Sequence, residues 1–163
     1  MFVRLAKSSA NFAEKLSAWS AWLTFMVAVF AGVVAYGQLQ SSNSSSAKGL
    51  YKDYLNLAIS KSKFSAMSCD DGSDMEMLKR QRFEYEEYEN FVAFLLFSGE
   101  EILALKDGWN KWDDVLIGQF SYHALYLRSD DFKGVRSFYS SGVLKLVDEA
   151  IAEFDARKCG RED

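Results

Sequence analysis

The chain has 163 residues, a length that suits one modest domain with an appendage, and its 49% hydrophobic and 15% aromatic content excludes a disordered protein. Its charge is uneven, because three basic and one acidic residues precede Ser41, whereas 16 basic and 22 acidic residues follow from Lys48 onward. An acidic part of this kind argues against nucleic acid as a partner, since phosphate groups repel it. Proline is absent, which removes the strongest helix breaker and favours an all-α fold.

A long apolar segment follows a short basic lead-in. The stretch from Trp19 to Tyr36 reads WSAWLTFMVAVFAGVVAY and carries no charge. A helix of this length crosses a hydrocarbon core of roughly 30 Å. Trp19, Trp22 and Tyr36 lie near its two ends, where amphipathic rings prefer the level of the lipid headgroups. We therefore predict a transmembrane helix over residues 18–39, with the lipid bilayer around it.

Two other interpretations of this segment stay open. It could be the core helix of a soluble protein, although a long charge-free run with aromatic ends is unusual there. It could also be a cleavable signal peptide, because Ala35-Tyr36-Gly37 has small residues at the positions that determine cleavage. The apolar stretch is long for that second role.

The segments on either side of the membrane helix each allow two assignments. Residues 1–17 place four apolar side chains on one helical face, namely Phe2, Leu5, Phe12 and Leu16. This pattern predicts an amphipathic lead-in at the membrane interface, with a simple extension of the membrane helix as the alternative. Residues 40–48 are rich in serine and form either a flexible linker or, without proline, a continuation of the helix.

Small residues recur four positions apart in the membrane helix. They form two pairs, Ala28 with Gly32 and Ala31 with Ala35. This spacing lets a second helix approach closely, so we predict that these four residues pack against another helix. Basic residues are slightly more numerous before the membrane helix than directly after it, which favours a cytoplasmic N-terminus and an external domain.

Residues 49–160 form the predicted soluble domain, and residues 161–163 form a tail. Apolar residues recur with a helical period in residues 49–64, 73–107, 110–127 and 141–160. A capping box of Ser73 and Glu76 opens the second helix, whose centre from Phe91 to Phe97 is apolar nearly all round and predicts the core helix. Ser129 is expected to cap a short turn before the last helix. The chain is thus predicted to be all-α, with one transmembrane helix followed by a small helical bundle.

Motifs that carry chemistry are absent from the sequence. His123 is the one histidine, so neither a carboxylate-bridged di-iron site nor a zinc site can be assembled. We expect His123 on a helix surface or half buried, and the glutamates of residues 84–89 on a solvated face. No phosphate-binding glycine loop and no nucleophile elbow occurs. We therefore predict a non-catalytic protein with no cofactor and no metal.

The two cysteines allow one disulfide. Cys69 precedes the predicted core helix and Cys159 follows the last helix, and an antiparallel bundle could bring these two positions together. We hypothesise that they pair, which requires an oxidising compartment.

Three segments share a layout with known sequences, namely Tyr36-Gly37-Gln38-Leu39-Gln40, the run from Tyr85 to Leu96, and residues 122–140. In this layout the chain resembles a set of short bacterial single-pass membrane proteins known only as domains of unknown function. The resemblance implies an N-terminal membrane helix with a helical tail, and it implies no activity. Members often carry basic residues directly after the membrane helix, whereas this chain has Gln38 and Gln40, so orientation does not carry over.

Together these patterns favour a membrane-anchored interaction protein, an accessory subunit of a larger complex in the cell inner membrane. Its partners would be other membrane protein subunits or a second copy of itself. The alternative is a self-associating membrane sensor or effector in stress or phage defence, and an enzyme with a site inside the bundle is a third hypothesis. Aromatic residues dominate interface energetics, so the expected partner contacts are Trp109, Trp112, Phe132, Phe138 and Tyr139, with ordinary core packing as the alternative.

Overall fold

The computed structural model describes residues 2–66, 73–105 and 111–157. These three stretches contain seven α-helices and two short 3-10 turns, without any strand, so the all-α prediction is confirmed. The chain divides into two units, Met1–Ser42 and Asn43–Asp163.

Helix α1, Phe2–Ser60, supplies the first unit and the beginning of the second. Alanine and long apolar residues without proline favour this helix, and Thr24 Oγ1 donates a hydrogen bond to the Ser20 carbonyl oxygen (2.9 Å), which keeps the hydroxyl satisfied inside the helix. Residues 40–48 continue helix α1 and do not form a flexible linker. An amphipathic face is predicted for residues 1–17, and their side chains lie outside the described part of the structure.

The second unit is a bundle built around α3, Arg82–Leu105. The end of α1 packs against it, as shown by the rings of Tyr54 and Phe91, whose centroids lie 5.8 Å apart. The side chain of Asn43 donates a hydrogen bond to the Leu105 carbonyl oxygen (2.9 Å), which satisfies one of the last carbonyl groups of α3. The other helices around α3 are α2 (Ser73–Arg80), α4 (Trp112–Ser121) and α7 (Ser141–Arg157).

The predicted second helix is interrupted at Gln81. Its backbone N–H donates to the Leu78 carbonyl oxygen (2.9 Å), a tight turn that ends α2 before α3 begins. Met75 and Tyr88 are both buried, yet in one continuous helix they would face directions roughly 140° apart. The break lets both side chains enter the same core.

The predicted third helix is also divided in two. Helix α4 ends at Ser121, and a turn at residues 122–123 leads into α5, Ala124–Leu127. Ser129 caps the next helix, α6 (Asp130–Val135), because its hydroxyl oxygen accepts from the Phe132 N–H at 3.3 Å. That cap was predicted. The predicted start of this helix at residue 110 and the predicted end of the last helix at residue 160 lie outside the described residues.

Candidate functional site

The described side chains of α1 between Trp22 and Leu39 form an apolar, exposed surface. Every described side chain from Trp22 to Leu39 is exposed, and the three predicted interface rings, Trp19, Trp22 and Tyr36, are 72%, 61% and 69% exposed. Among the described residues there is one helix long and apolar enough to cross a membrane, and none of its most apolar window is buried. The core helix of a soluble protein would be mostly buried, so this helix does not play that part within the chain.

The four predicted packing residues lie on this exposed helix. Ala28, Ala31, Gly32 and Ala35 are all exposed, and a Cβ atom added at Gly32 would meet nothing within 4 Å. The small residues therefore leave a shallow strip of backbone accessible along one side of α1.

His123 lies in the core of the bundle, and the expectation of a surface or half-buried position was wrong. It is fully buried, because the turn between α4 and α5 directs its ring towards α3. The Tyr88 hydroxyl lies 3.1 Å from Nδ1 of His123, and the Phe91 ring meets the imidazole edge-on at 5.6 Å between centroids. Nε2 has no hydrogen-bond partner among the described residues.

Burial controls the charge of this histidine. Desolvation lowers the pKa of His123 to about 3, so the imidazole is neutral at physiological pH. Nδ1 and the Tyr88 hydroxyl share one hydrogen bond, in which the donor depends on which ring nitrogen carries the proton. A neutral ring without access to solvent stabilises the packing of aromatic neighbours and is not placed to exchange protons with a substrate.

Tyrosine hydroxyls connect the helices around this centre. Tyr54 donates to Gln119 Oε1 (3.0 Å) and Tyr85 donates to Asp131 Oδ2 (2.6 Å). Burial raises the pKa of both hydroxyls, so they remain donors across the biological pH range. Burial, followed by the charge of Asp131, also raises the pKa of Glu89. These contacts join elements of the bundle and enclose no open site.

Some of the glutamates in residues 84–89, which were expected on a solvated face, form ion pairs with lysines. Lys61 pairs with Glu87, Lys63 Nζ lies 3.5 Å from Glu84, and the hydrogen bond from Lys61 lowers the pKa of Glu87. Two lysines that follow α1 therefore form ion pairs with glutamates near the start of α3.

Two of the five expected partner contacts are core residues. Trp112 is 5% exposed and Phe132 is 1% exposed, so a partner cannot reach them, and this part of the expectation is corrected. Both are buried because α4 and α6 must cover the apolar centre of the bundle. Tyr139 is half-buried and stacks on Phe132 at 6.0 Å, whereas Phe138 is 78% exposed. Trp109, Cys69 and Cys159 lie outside the described residues, so the predicted disulfide stays a prediction.

The core helix has an exposed face that was not predicted from the sequence. Phe94 and Phe97, expected in the core, are 37% and 53% exposed. The buried stripe of α3 is already complete without them, and exposed Asn90 and Glu101 lie on the same line along the helix. Those two polar residues are the signal that could have placed both phenylalanines on the outside.

Within the described ranges, no group of three histidine, cysteine, aspartate or glutamate side chains could hold a metal ion. A groove of about 540 Å³ runs along α7, and it is lined by Ser141, Leu144, Lys145, Asp148, Glu149 and Ala152.

Comparisons with known proteins found none that is similar to this chain. No protein-family model matches the chain, and neither a curated protein nor a solved structure matches it. The resemblance to short bacterial single-pass proteins therefore stays an expectation.

Proposed function

We propose that this chain is a membrane-anchored, non-catalytic interaction protein, an accessory subunit of a larger complex in the cell inner membrane. One observation carries the proposal, namely the uninterrupted exposed apolar surface of α1 from Trp22 to Leu39. Soluble monomers rarely expose more than a few hundred Å² of continuous apolar surface. A bilayer removes this surface from water, at about 25 cal/mol for each Å².

The bundle supports the non-catalytic part of the proposal. Its one histidine is neutral and buried, and its tyrosine hydroxyls are used in contacts between helices. What the described domain presents to its surroundings is a set of exposed apolar side chains, including Phe97 and Phe138. Such side chains are what a binding partner covers. The basic lead-in favours a cytoplasmic N-terminus with the bundle outside.

Membrane extraction tests the anchor. We expect the full chain to stay with the membrane pellet in alkaline carbonate and to enter solution in mild detergent. Arginine at the centre of a membrane helix costs about 2.5–3.5 kcal/mol, so Val29→Arg with Val33→Arg should move the chain out of the pellet. The matched control places the same pair at exposed positions beyond the apolar run, Ser41→Arg with Ser45→Arg, and should stay in the pellet.

Two results would contradict the proposal. A soluble product that begins at Gln38, directly after Gly37, would identify the apolar segment as part of a cleaved signal peptide. A chain that solubilises gently as a monodisperse monomer, with no protein crosslinked to it in native membranes, would exclude an accessory subunit.

The open strip of small residues supports a second candidate, a sensor or effector that self-associates through α1. Gly32→Leu would fill this strip and should lower self-association in a membrane two-hybrid assay. Gly37→Leu is a matched control, because Gly37 is equally open and lies on the opposite side of the helix. Equal signals from the two variants would exclude packing through this strip.

A further inference from the structure

We infer that the exposed side of α3 binds a basic amphipathic helix of a partner protein. This inference rests on the proposed function, since it assigns a surface to the interaction. The surface, called here the α3 outer face, consists of Asn90, Phe94, Phe97 and Glu101. These residues are spaced four, three and four apart, so they form one line of roughly 17 Å along the helix.

The opposite side of α3 explains why this face stays open. A Cβ atom added at Gly99 would lie 3.0 Å from the Phe120 ring, so α3 and α4 approach each other closely there. Leu95 is 1% exposed. Rolling α3 to hide the outer face would therefore expose the best-packed residues of the bundle.

Contacts on both flanks hold α3 in this orientation. On one flank Lys61 pairs with Glu87, just after the end of α1. On the other flank, Glu100 Oε1 accepts a hydrogen bond from the Ser140 N–H (2.8 Å) at the start of α7. The two phenylalanines of the outer face are consequently presented on a fixed helix, which lowers the entropic cost of binding.

Charge selects the kind of partner. Helix α3 carries six glutamates and one arginine. Arg82 and two lysines offset the charge near its start, but Glu101 has no ion pair within the described part of the chain. An apolar pair with the Glu101 carboxylate at one end, in a region of the chain where acidic residues outnumber basic ones, fits a helix that has an apolar stripe between lysine or arginine residues. Those cations also interact with phenylalanine rings. Anionic lipid headgroups would instead be repelled by this carboxylate.

The test uses the full chain in phosphatidylcholine nanodiscs and a fluorescent helical peptide of roughly 18 residues built from leucine and lysine. We expect the peptide to bind nanodiscs that hold the chain more tightly than empty nanodiscs, whose binding measures partition of the peptide into the bilayer. Phe94→Ser with Phe97→Ser should weaken binding by about tenfold. A charge-reversed peptide of leucine and glutamate should bind more weakly than the lysine peptide by a similar factor.

Phe138→Ser is the matched control, since it removes an exposed phenylalanine elsewhere on the bundle. Equal binding by the wild type and the double variant, or an equal loss in the control, would overturn the inference. So would strong quenching by nitroxide lipids of a fluorophore at Phe97→Cys in a cysteine-free background, because the face would then lie on the bilayer. A chain that stays in membranes with crosslinked partners while the peptide fails to bind would leave the proposed function standing and remove this surface from it.

Discussion

Two stretches of this chain are apolar nearly all round, residues 22–39 of α1 and residues 91–97 of α3. The first is exposed on every side, whereas the second buries one face in the bundle and leaves two phenylalanines outside. Their neighbours in sequence account for the difference. The α1 stretch has no charge near it and aromatic rings at its ends, while the α3 stretch is flanked by glutamates that keep its helix in water. Apolar content alone therefore does not distinguish a membrane helix from a core helix.

Truncating a core residue of α3 should have the largest effect. Leu95→Ala is expected to lower the free energy of unfolding of the bundle by about 2–5 kcal/mol, because it leaves a cavity where no solvent enters. Calorimetric unfolding of the full chain in detergent measures this change. Phe97→Ala on the same helix is the control and should cost less than about 1 kcal/mol. Similar losses from both variants would mean that the outer face is packed in solution.

Acid should weaken the bundle and spare the apolar part of α1. His123 has a pKa of about 3 in the fold and about 6.5 when unfolded, so the unfolded chain binds more protons as pH falls below 6.5. The stability present above pH 6.5 is therefore lost as pH falls towards 3, by roughly 2–3 kcal/mol between pH 7 and pH 4.5.

The control for this pH effect is His123→Asn, whose amide can either donate to or accept from the Tyr88 hydroxyl and does not titrate. Its unfolding should depend less steeply on pH than that of the wild type, since other groups contribute equally to both. Parallel pH profiles would show that His123 is not buried in its neutral form. Residues 22–39 carry no group that titrates in this range, so their helix should persist.

A methyl group at the closest approach of α3 and α4 should have a smaller effect. Gly99→Ala places a Cβ atom 3.0 Å from the Phe120 ring, and we expect a net loss of about 1 kcal/mol after the better helix propensity of alanine is counted. Gly118→Ala, where an added Cβ meets nothing within 4 Å, should instead stabilise the bundle slightly. Urea unfolding of the two variants compares them directly, and a stabilised Gly99→Ala would show that the helices have room to separate.

The smallest expected effect comes from a single surface hydrogen bond. Tyr85→Phe removes the hydroxyl that donates to Asp131 at 2.6 Å, and this should cost about 1 kcal/mol or less because both groups are partly exposed. Thermal unfolding measures this change, and the control is Phe83→Leu, which alters an exposed aromatic side chain on the same helix. Comparing the two variants separates the effect of the hydrogen bond from the effect of losing aromatic surface. A larger loss than that of Leu95→Ala would show that the hydrogen bond between Tyr85 and Asp131 is not a surface contact.

The local signals in the sequence predicted several features of this fold. Helical periodicity and the absence of proline indicated an all-α chain, and Ser129 was recognised as a cap because capping depends on neighbouring residues alone. The break at Gln81 could not be found in this way. It exists because Met75 and Tyr88 share one core, and that requirement involves helices distant in sequence.

The candidate surfaces were predicted less completely for the same reason. The burial of His123 depends on a turn between α4 and α5, and no local residue pattern predicted that turn. Trp112 and Phe132 were expected to meet partners, but whether an aromatic side chain faces the core or solvent is decided by tertiary packing. Phe138 is exposed, and its role as a partner contact stays a prediction.

The hydrogen bond from Asn43 to the end of α3 has a consequence for producing this protein in eukaryotic cells. Asn43-Ser44-Ser45 matches the acceptor sequence for N-linked glycosylation. In the folded bundle, however, the amide nitrogen that would receive the sugar is held by the Leu105 carbonyl oxygen at 2.9 Å. A secretory host could attach a glycan only before the bundle closes, and the attached sugar would then keep Asn43 from capping α3. The glycosylated fraction from such a host would therefore report how quickly α1 and α3 come together.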